Sequence, residues 1–132
     1  MSINIEGIPY EEFLALPKDE LEAFVFTEKP IAFRAGTAQV LGHFHKSADC
    51  LRVELAHIDG GGEGVLPTIV ILANRYARQN AIPRIEWLVY ATNCARPNPK
   101  LRRVLERRGF AVRHIEGKGE CYHLITTVAQ HK

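Results

Sequence analysis

The chain has 132 residues, of which 46% are hydrophobic and 24% are charged, and its formal net charge at pH 7 is +2. This composition predicts one globular domain with a single core, and the mild charge argues against nucleic-acid binding, which usually requires a dense basic face. The cysteines Cys50, Cys94 and Cys121 form no CxxC pair, so we expect neither a disulfide framework nor a zinc site, but a reducing, cytoplasmic location.

We expect residues 1 to 29 to form a helical N-terminal segment of this domain. The stretch PYEEFLALPKDELEAFVF predicts one or two short helices that are broken at Pro17. Residues 1 to 13 show no basic leader and no apolar core of signal-peptide length, and no apolar run reaches 18 residues. We therefore expect no targeting segment and no membrane partner.

The core, residues 30 to 128, begins with three strand-like segments at 31–35, 39–45 and 50–58. Their joints are short and polar, which predicts an antiparallel meander. A glycine run, GGGEG at 60–64, then leads to an apolar periodicity that predicts a helix from about Val65 to Gln79.

The second half of the core starts with IEWLVYAT, whose apolar residues on both faces predict a central strand at 85–92. Asn98 can cap the next helix, Pro99 suits its first position, and Gly109 ends it. Two strand-like segments around Gly117 predict a final hairpin. A strand, a glycine loop, a helix and a strand therefore form a βαβ-type unit within an otherwise antiparallel sheet.

This chain resembles the GNAT superfamily of N-acetyltransferases over roughly residues 30 to 128. The resemblance rests on the element order, on DGGGEG against the family pattern [RQ]xxGx[GA], and on NPKLRRVLERRGF against NxxAxxLYxxxGF. It implies a GNAT-like α/β (α+β) fold: a mixed, mostly antiparallel sheet with helices on both faces. It also implies acetyl-CoA or another acyl-CoA as co-substrate and transfer of the acyl group to an amine.

The glycine loop is the expected cofactor site. Glycines at a helix N-terminus let a phosphate approach unpaired backbone N–H groups, which suits the pyrophosphate of CoA. The alternative is that the glycines only form a tight strand-to-helix turn. The residues expected to bind the cofactor are Ile58, Gly60, Gly61, Gly62, Glu63, Gly64, Val65, Asn98 and Arg103.

For two of these residues a structural role alone is sufficient. Asn98 is explained by helix capping, and Arg103 by a solvated helix face.

Two departures from the family pattern also bear on the site: Asp59 stands where the family has Arg or Gln, and Leu105 where many members have the tyrosine that protonates the leaving thiolate. If CoA binds, the Asp59 and Glu63 side chains must point into solvent, because a carboxylate beside the phosphate is repelled.

Acyl transfer needs a group that removes a proton from the amine and a group that protonates the thiolate. The candidate catalytic residues are Glu54, His57, Cys94 and Tyr122. Apolar neighbours could raise the pKa of Glu54 to a useful value, and His57 could act directly or through water. Glu54 and His57 each have a structural alternative. Glu54 could point outward and form an ion pair, and His57 could be a structural histidine whose imidazole is hydrogen-bonded within the fold.

Two functions from different classes remain. The first is an acyl-CoA-dependent N-acyltransferase that acts on an unidentified amine. The second is a GNAT-like domain that binds a ligand or a protein without turnover, which Asp59 and Leu105 favour. The short N-terminal segment leaves little material for a lid, so we expect a large or protein-borne acceptor, or a site built by a homodimer.

Overall fold

The computed structural model describes residues 3–59, 64–90 and 99–128. The described elements, in chain order, are β1 (Asn4–Ile5), β2 (Ile8–Pro9), α1 (Tyr10–Leu14), α2 (Lys18–Val25), β3 (Ile31–Ala35), β4 (Ala38–Lys46), β5 (Cys50–Asp59), α3 (Leu66–Gln79), β6 (Arg84–Val89), α4 (Pro99–Arg107), β7 (Ala111–Ile115) and β8 (Gly119–Thr127).

The strands form one eight-stranded sheet in the order β2-β1-β3-β4-β5-β6-β8-β7. Every neighbouring pair is antiparallel except β5 and β6, which run parallel. The predicted meander β3-β4-β5 and the final hairpin β7-β8 are confirmed. Strands β1 and β2 were not predicted, because two residues are too few to show an alternating pattern.

Helix α3 connects the two parallel strands, since such a connection must cross over the sheet. Its apolar stripe, predicted from the sequence, packs inward: Ile69 and Ala73 are buried at the middle of the helix and Ala77 at its last turn. Pro67 lies in the first turn, where a missing N–H costs no hydrogen bond. The βαβ unit of the sequence analysis is thus confirmed.

The main hydrophobic core lies on one face of the sheet, here called the helical face. Leu51, Val53 and Leu55 of β5 point into it, beside Trp87 and Val89 of β6. The sequence predicted helices on both faces. The described contacts place α1, α2 and α3 on the helical face, around a largely apolar cavity of about 320 Å³.

One polar cluster fixes α2 and α3 to the sheet. The Lys46 ammonium on β4 donates to the Glu22 carboxylate at 2.5 Å and to the Tyr76 hydroxyl at 3.2 Å, and Tyr76 also donates to Glu22. The ring of Phe26 packs against Tyr76 with centroids 5.3 Å apart. The end of α2 is therefore held against the C-terminal part of α3.

Helix α4 also contributes to the buried apolar cluster. Its residues Leu101 and Leu105 are 0% and 1% exposed, as the predicted stripe requires. Gly109 has a φ of 95°, the left-handed conformation with which a helix ends, so this predicted stop is confirmed. No helix in the described parts of the chain is long and apolar enough to cross a bilayer.

Candidate functional site

The described pairing of the parallel strands β5 and β6 stops before β5 ends. Their register runs from Cys50 opposite Arg84 to Leu55 opposite Val89. The Tyr90 N–H then donates to the Leu55 carbonyl at 2.9 Å, whereas the rest of β5 pairs with β4. In the described residues, β5 therefore runs on to Asp59 beyond its last pair with β6, and the space beside this stretch is here called the gap between β5 and β6.

A β-bulge bends β5 within this gap. Leu41 pairs with Ala56 and Gln39 with Asp59, so β5 carries one residue more than β4 between these two pairs. His57 lies in the bulge with a φ of 49°, which is unusual for a residue with a side chain. The bulge lies at the end of β5, just before the glycine loop.

Glu54 is the central side chain at this gap. It lies on the sheet face opposite the helical face, here called the polar face, and is only 7% exposed. The Tyr90 hydroxyl donates to Oε1 at 2.9 Å, and the Lys118 ammonium lies 2.7 Å from the same oxygen. The second oxygen, Oε2, faces His43 and His45 at 3.7 and 3.6 Å.

The two donors on Oε1 determine the ionisation of the Glu54–Tyr90 pair. Burial raises the pKa of Glu54, but the hydrogen bonds from Lys118 and Tyr90 and the charges of Lys118 and Arg52 outweigh it, so the pKa lies below its ordinary value. The sequence-based expectation of a raised pKa is wrong, because it considered the apolar neighbours in the strand and not the donors from other strands. Burial and the adjacent carboxylate raise the pKa of Tyr90, which keeps its hydroxyl protonated.

Glu54 forms the floor of a pocket of about 340 Å³. Strands β4 and β5 supply one side of the pocket. Tyr90, which directly follows β6, also lines it. Lys118 reaches in from the turn between β7 and β8. The pocket lining consists of Pro30, Leu41, His43, Glu54, Ala56, His57, Tyr90 and Lys118.

A second polar network lies beside the pocket on the same face. Arg52 Nε donates to Glu86 at 3.0 Å, and His123 Nε2 contacts the other Glu86 oxygen at 2.9 Å. The neighbouring thiol of Cys121 is fully buried, and burial together with the charges of Glu54 and Glu86 raises its pKa, which makes it a poor nucleophile. These groups support the sheet around Glu54 and do not line the pocket.

The candidate catalytic residues fall in three different places. Glu54 and His57 line the same pocket. Tyr122 is 4% exposed and belongs to the apolar core of the helical face, so its side chain points away from Glu54. Cys94 lies outside the described residues.

The candidate cofactor residues are only partly described. Ile58 is buried at the end of β5, and Val65 is buried directly before α3. Gly64 and Arg103 are exposed, Arg103 on α4. Outside the described residues lie Gly60, Gly61, Gly62, Glu63 and Asn98, together with the side chain of Asp59, so the predicted direction of that carboxylate stays a prediction.

Four residues that contact or face the Glu54 carboxylate were not predicted from the sequence: His43, His45, Tyr90 and Lys118. The spacing of HFH at 43–45 places both imidazoles on one face of β4, and this signal was available in the sequence. Their approach to Glu54 depends on the β4–β5 register, in which His43 lies opposite Glu54. Lys118 comes from 64 residues further along the chain, and no local pattern indicates that contact.

Comparison with known proteins gives matches in structure but not in sequence. No protein-family model and no curated protein matches the chain. The crystal structure of Ard1 from Thermoplasma volcanium matches with a TM-score of 0.52 and 12% identity over 98% of this chain and 99% of that one. The Campylobacter jejuni N-acetyltransferase PseH in complex with acetyl coenzyme A matches with a TM-score of 0.47 and 9% identity over 96% and 99%.

Proposed function

We propose that this chain, which has the GNAT fold, is a divergent acyl-CoA-dependent N-acyltransferase that transfers an acetyl or similar acyl group to a primary amine. The observation that carries the proposal is Glu54: a buried carboxylate that binds an ammonium group, that of Lys118, where β5 and β6 separate. Such a carboxylate recognises amines and can take a proton from one.

The gap between β5 and β6 suits the acyl-CoA. The pantetheine arm would lie between the separated strands, and the pyrophosphate would bind the residues from Gly60 to Val65. Helix α3 has no acidic residue in its first turn, so no carboxylate within that turn offsets the partial positive charge of its N-terminus, which attracts a phosphate. Arg103 on the exposed side of α4 would pair with a phosphate of CoA.

Lys118 occupies the position that we assign to the acceptor amine. Its ammonium is 2.7 Å from Glu54 Oε1. When an acceptor replaces it and loses its proton, the positive charge that lowers the pKa of Glu54 is removed, and burial then raises that pKa. Glu54 would thus become more basic at the step in which the amine attacks the thioester carbonyl.

Tyr90 would supply the proton that Leu105 cannot. Leu105 stands at the family's tyrosine position and is buried in the core. The Tyr90 hydroxyl faces the pocket and stays protonated. As the amine nitrogen bonds to the acyl carbon and the carbon–sulfur bond breaks, the leaving thiolate would take the Tyr90 proton. The proton that Glu54 takes from the amine would then pass along the Tyr90–Glu54 hydrogen bond to the Tyr90 oxygen, which returns both groups to their starting state.

A second function, binding of a ligand or protein without turnover, is favoured by Leu105, which leaves the usual position of the acid without a hydroxyl. The two functions differ in whether CoA thiol is released. Release of CoA thiol requires an acceptor amine. We propose that this acceptor is either a small primary amine or a lysine or N-terminal amine of another protein.

The test is thiol release from acetyl-CoA in the presence of a panel of primary amines and amine-bearing peptides. We expect turnover by the unaltered chain and a loss of about 100-fold or more in kcat/KM for Glu54→Gln, the usual size of a general-base contribution. The matched control is Glu86→Gln, on the same face but outside the pocket, which should retain turnover.

Two results would count against the proposal. Binding of acetyl-CoA without thiol release for any amine would favour the non-catalytic function. Equal rates for the Glu54→Gln variant and the unaltered chain would remove Glu54 from the reaction.

A further inference from the structure

His43, His45 and Glu54 converge at one point on the polar face. A ligand atom from each of the three lies within 4.8 Å of the other two. His43 and His45 alternate along β4 and therefore share a face, and Glu54 on β5 is the cross-strand partner of His43. The two imidazole rings have centroids 4.3 Å apart.

The distances within this cluster are too long for hydrogen bonds. His43 Nδ1 lies 3.7 Å and His45 Nε2 lies 3.6 Å from Glu54 Oε2, whereas hydrogen bonds of this type span about 2.7 to 3.2 Å. Metal–ligand bonds of about 2.0 to 2.2 Å in a tetrahedral arrangement separate two ligand atoms by roughly 3.3 to 3.6 Å. The two separations from Glu54 Oε2 are close to those across a shared metal ion, and the ligand atoms of His43 and His45 lie within 4.8 Å of each other.

The hydrogen bonds around the cluster leave a lone pair on His43 and orient the Glu54 carboxylate as metal binding requires. His43 Nε2 contacts the Thr27 carbonyl at 2.9 Å, and a carbonyl can only accept, so this nitrogen carries the hydrogen and Nδ1 keeps its lone pair in the neutral ring. A backbone carbonyl in this position is a common support for a metal-binding histidine. Tyr90 and Lys118 bind Glu54 Oε1, which holds the carboxylate with Oε2 towards the imidazoles.

We propose that His43, His45 and Glu54 form a binding site for a divalent transition metal of the zinc class. Two imidazoles and one carboxylate are a known ligand set for zinc and leave a fourth position for water or another ligand. The side chain of His45 is 50% exposed, which provides a path of entry. The site rests on the geometry of three side chains and does not depend on acyl transfer, although a metal on Oε2 would share Glu54 with the acceptor amine.

The expectation of no zinc site was based on the cysteines alone. A ligand set without cysteine has no CxxC signature, and the two strands that supply it come together only through their register.

The test is competition for Zn²⁺ between the untagged, chelator-treated protein and a chromophoric zinc chelator. We expect one Zn²⁺ per chain. The variants His43→Gln and His45→Gln should each lose at least about 10-fold in affinity for Zn²⁺, because removal of a group that only hydrogen-bonds to a metal ligand already lowers the affinity by that factor. The control is His114→Gln, a variant at an exposed position on β7, which should keep the affinity.

Two further measurements separate a metal site from a general loss of structure. Lys118→Met should increase the affinity several-fold, since it removes a positive charge 2.7 Å from the same carboxylate. Co²⁺ should give the visible absorption bands of a tetrahedral site, and His45→Gln should abolish them. His45 is half exposed, so that variant should fold.

The proposal is overturned if the protein does not compete for Zn²⁺. It is also overturned if His45→Gln and His114→Gln bind Zn²⁺ with the same affinity, because the metal would then bind elsewhere.

Discussion

Glu54 shows how a carboxylate can be almost fully buried in a sheet. An unpaired buried charge is costly, but here a tyrosine hydroxyl and an ammonium share one oxygen, and Arg52 adds a favourable charge. The donors come from the end of β6 and from the β7–β8 turn, so three parts of the chain meet at one side chain. Both the proposed acyl transfer and the proposed metal site depend on this residue.

Tyr90→Phe tests the proposed proton donor. We expect kcat to fall by about 100-fold, because the leaving thiolate loses its acid while the rest of the pocket is kept. The measurement is thiol release at saturating acetyl-CoA and acceptor. The control Tyr76→Phe removes a hydroxyl on the helical face and should retain turnover; equal rates for both variants would exclude Tyr90 as the acid.

Glu86 provides a test of the electrostatics outside the pocket. Burial raises its pKa, but the hydrogen bond from His123 and the charges of Arg52 and His123 outweigh burial and leave the pKa below its ordinary value of 4.5. A carboxylate with a lowered pKa in the folded state stabilises that state at pH values above 4.5, and this contribution is lost as the pH falls through the folded pKa.

The matched variant is Glu86→Gln. At pH 7 its free energy of unfolding should lie about 1 kcal/mol below that of the unaltered chain, the size expected for a partly exposed ion pair. The difference should shrink as the pH falls below about 4.5. Urea unfolding at a series of pH values measures it, and a difference independent of pH would contradict the assignment.

At the scale of the elements, β4 needs a glycine at position 42. A Cβ atom added there would lie 2.9 Å from Cε2 of Phe44 and 3.1 Å from Cε1 of Phe33. Both rings are buried and pack edge to face with centroids 5.9 Å apart, so neither can move without disturbing the core. The glycine lets the two aromatic rings meet across the β3–β4 pair.

Gly42→Ala should therefore lower the free energy of unfolding by about 1 to 3 kcal/mol, the usual cost of overpacking. Gly64→Ala is the control, because a Cβ there meets nothing within 4 Å, and it should change stability by less than about 0.5 kcal/mol. Chemical denaturation of both variants measures the difference. Equal stabilities would show that the Phe33 and Phe44 rings adapt.

Local patterns predicted most of the elements but not the site. The alternation in β3, β4 and β5 and the apolar stripe of α3 are visible in short windows, so the meander and the βαβ unit could be predicted. The contact of Lys118 with Glu54 arises from the sheet order, in which β8 lies next to β6. The burial and ionisation of Glu54 follow from such long-range pairing, which no local window contains.

At the scale of the whole molecule, one sheet separates two kinds of environment. The helical face holds the apolar core, including Tyr122, and the polar face holds Glu54, Glu86 and their partners. In the proposed acyl transfer, the gap between β5 and β6 would connect the polar face with the start of α3. A thioester bound in this gap would lie close to Glu54 and the bound amine, which is the arrangement that acyl transfer requires.

The most direct test of this account is the binding of acetyl-CoA, measured by calorimetry and by thermal unfolding of the same preparation. We expect saturable binding of one acetyl-CoA per chain, and at 100 times the dissociation constant a gain of about 2.7 kcal/mol in the free energy of unfolding. Absence of both heat and stabilisation with millimolar acetyl-CoA and CoA would contradict the cofactor site and, with it, the proposed acyl transfer.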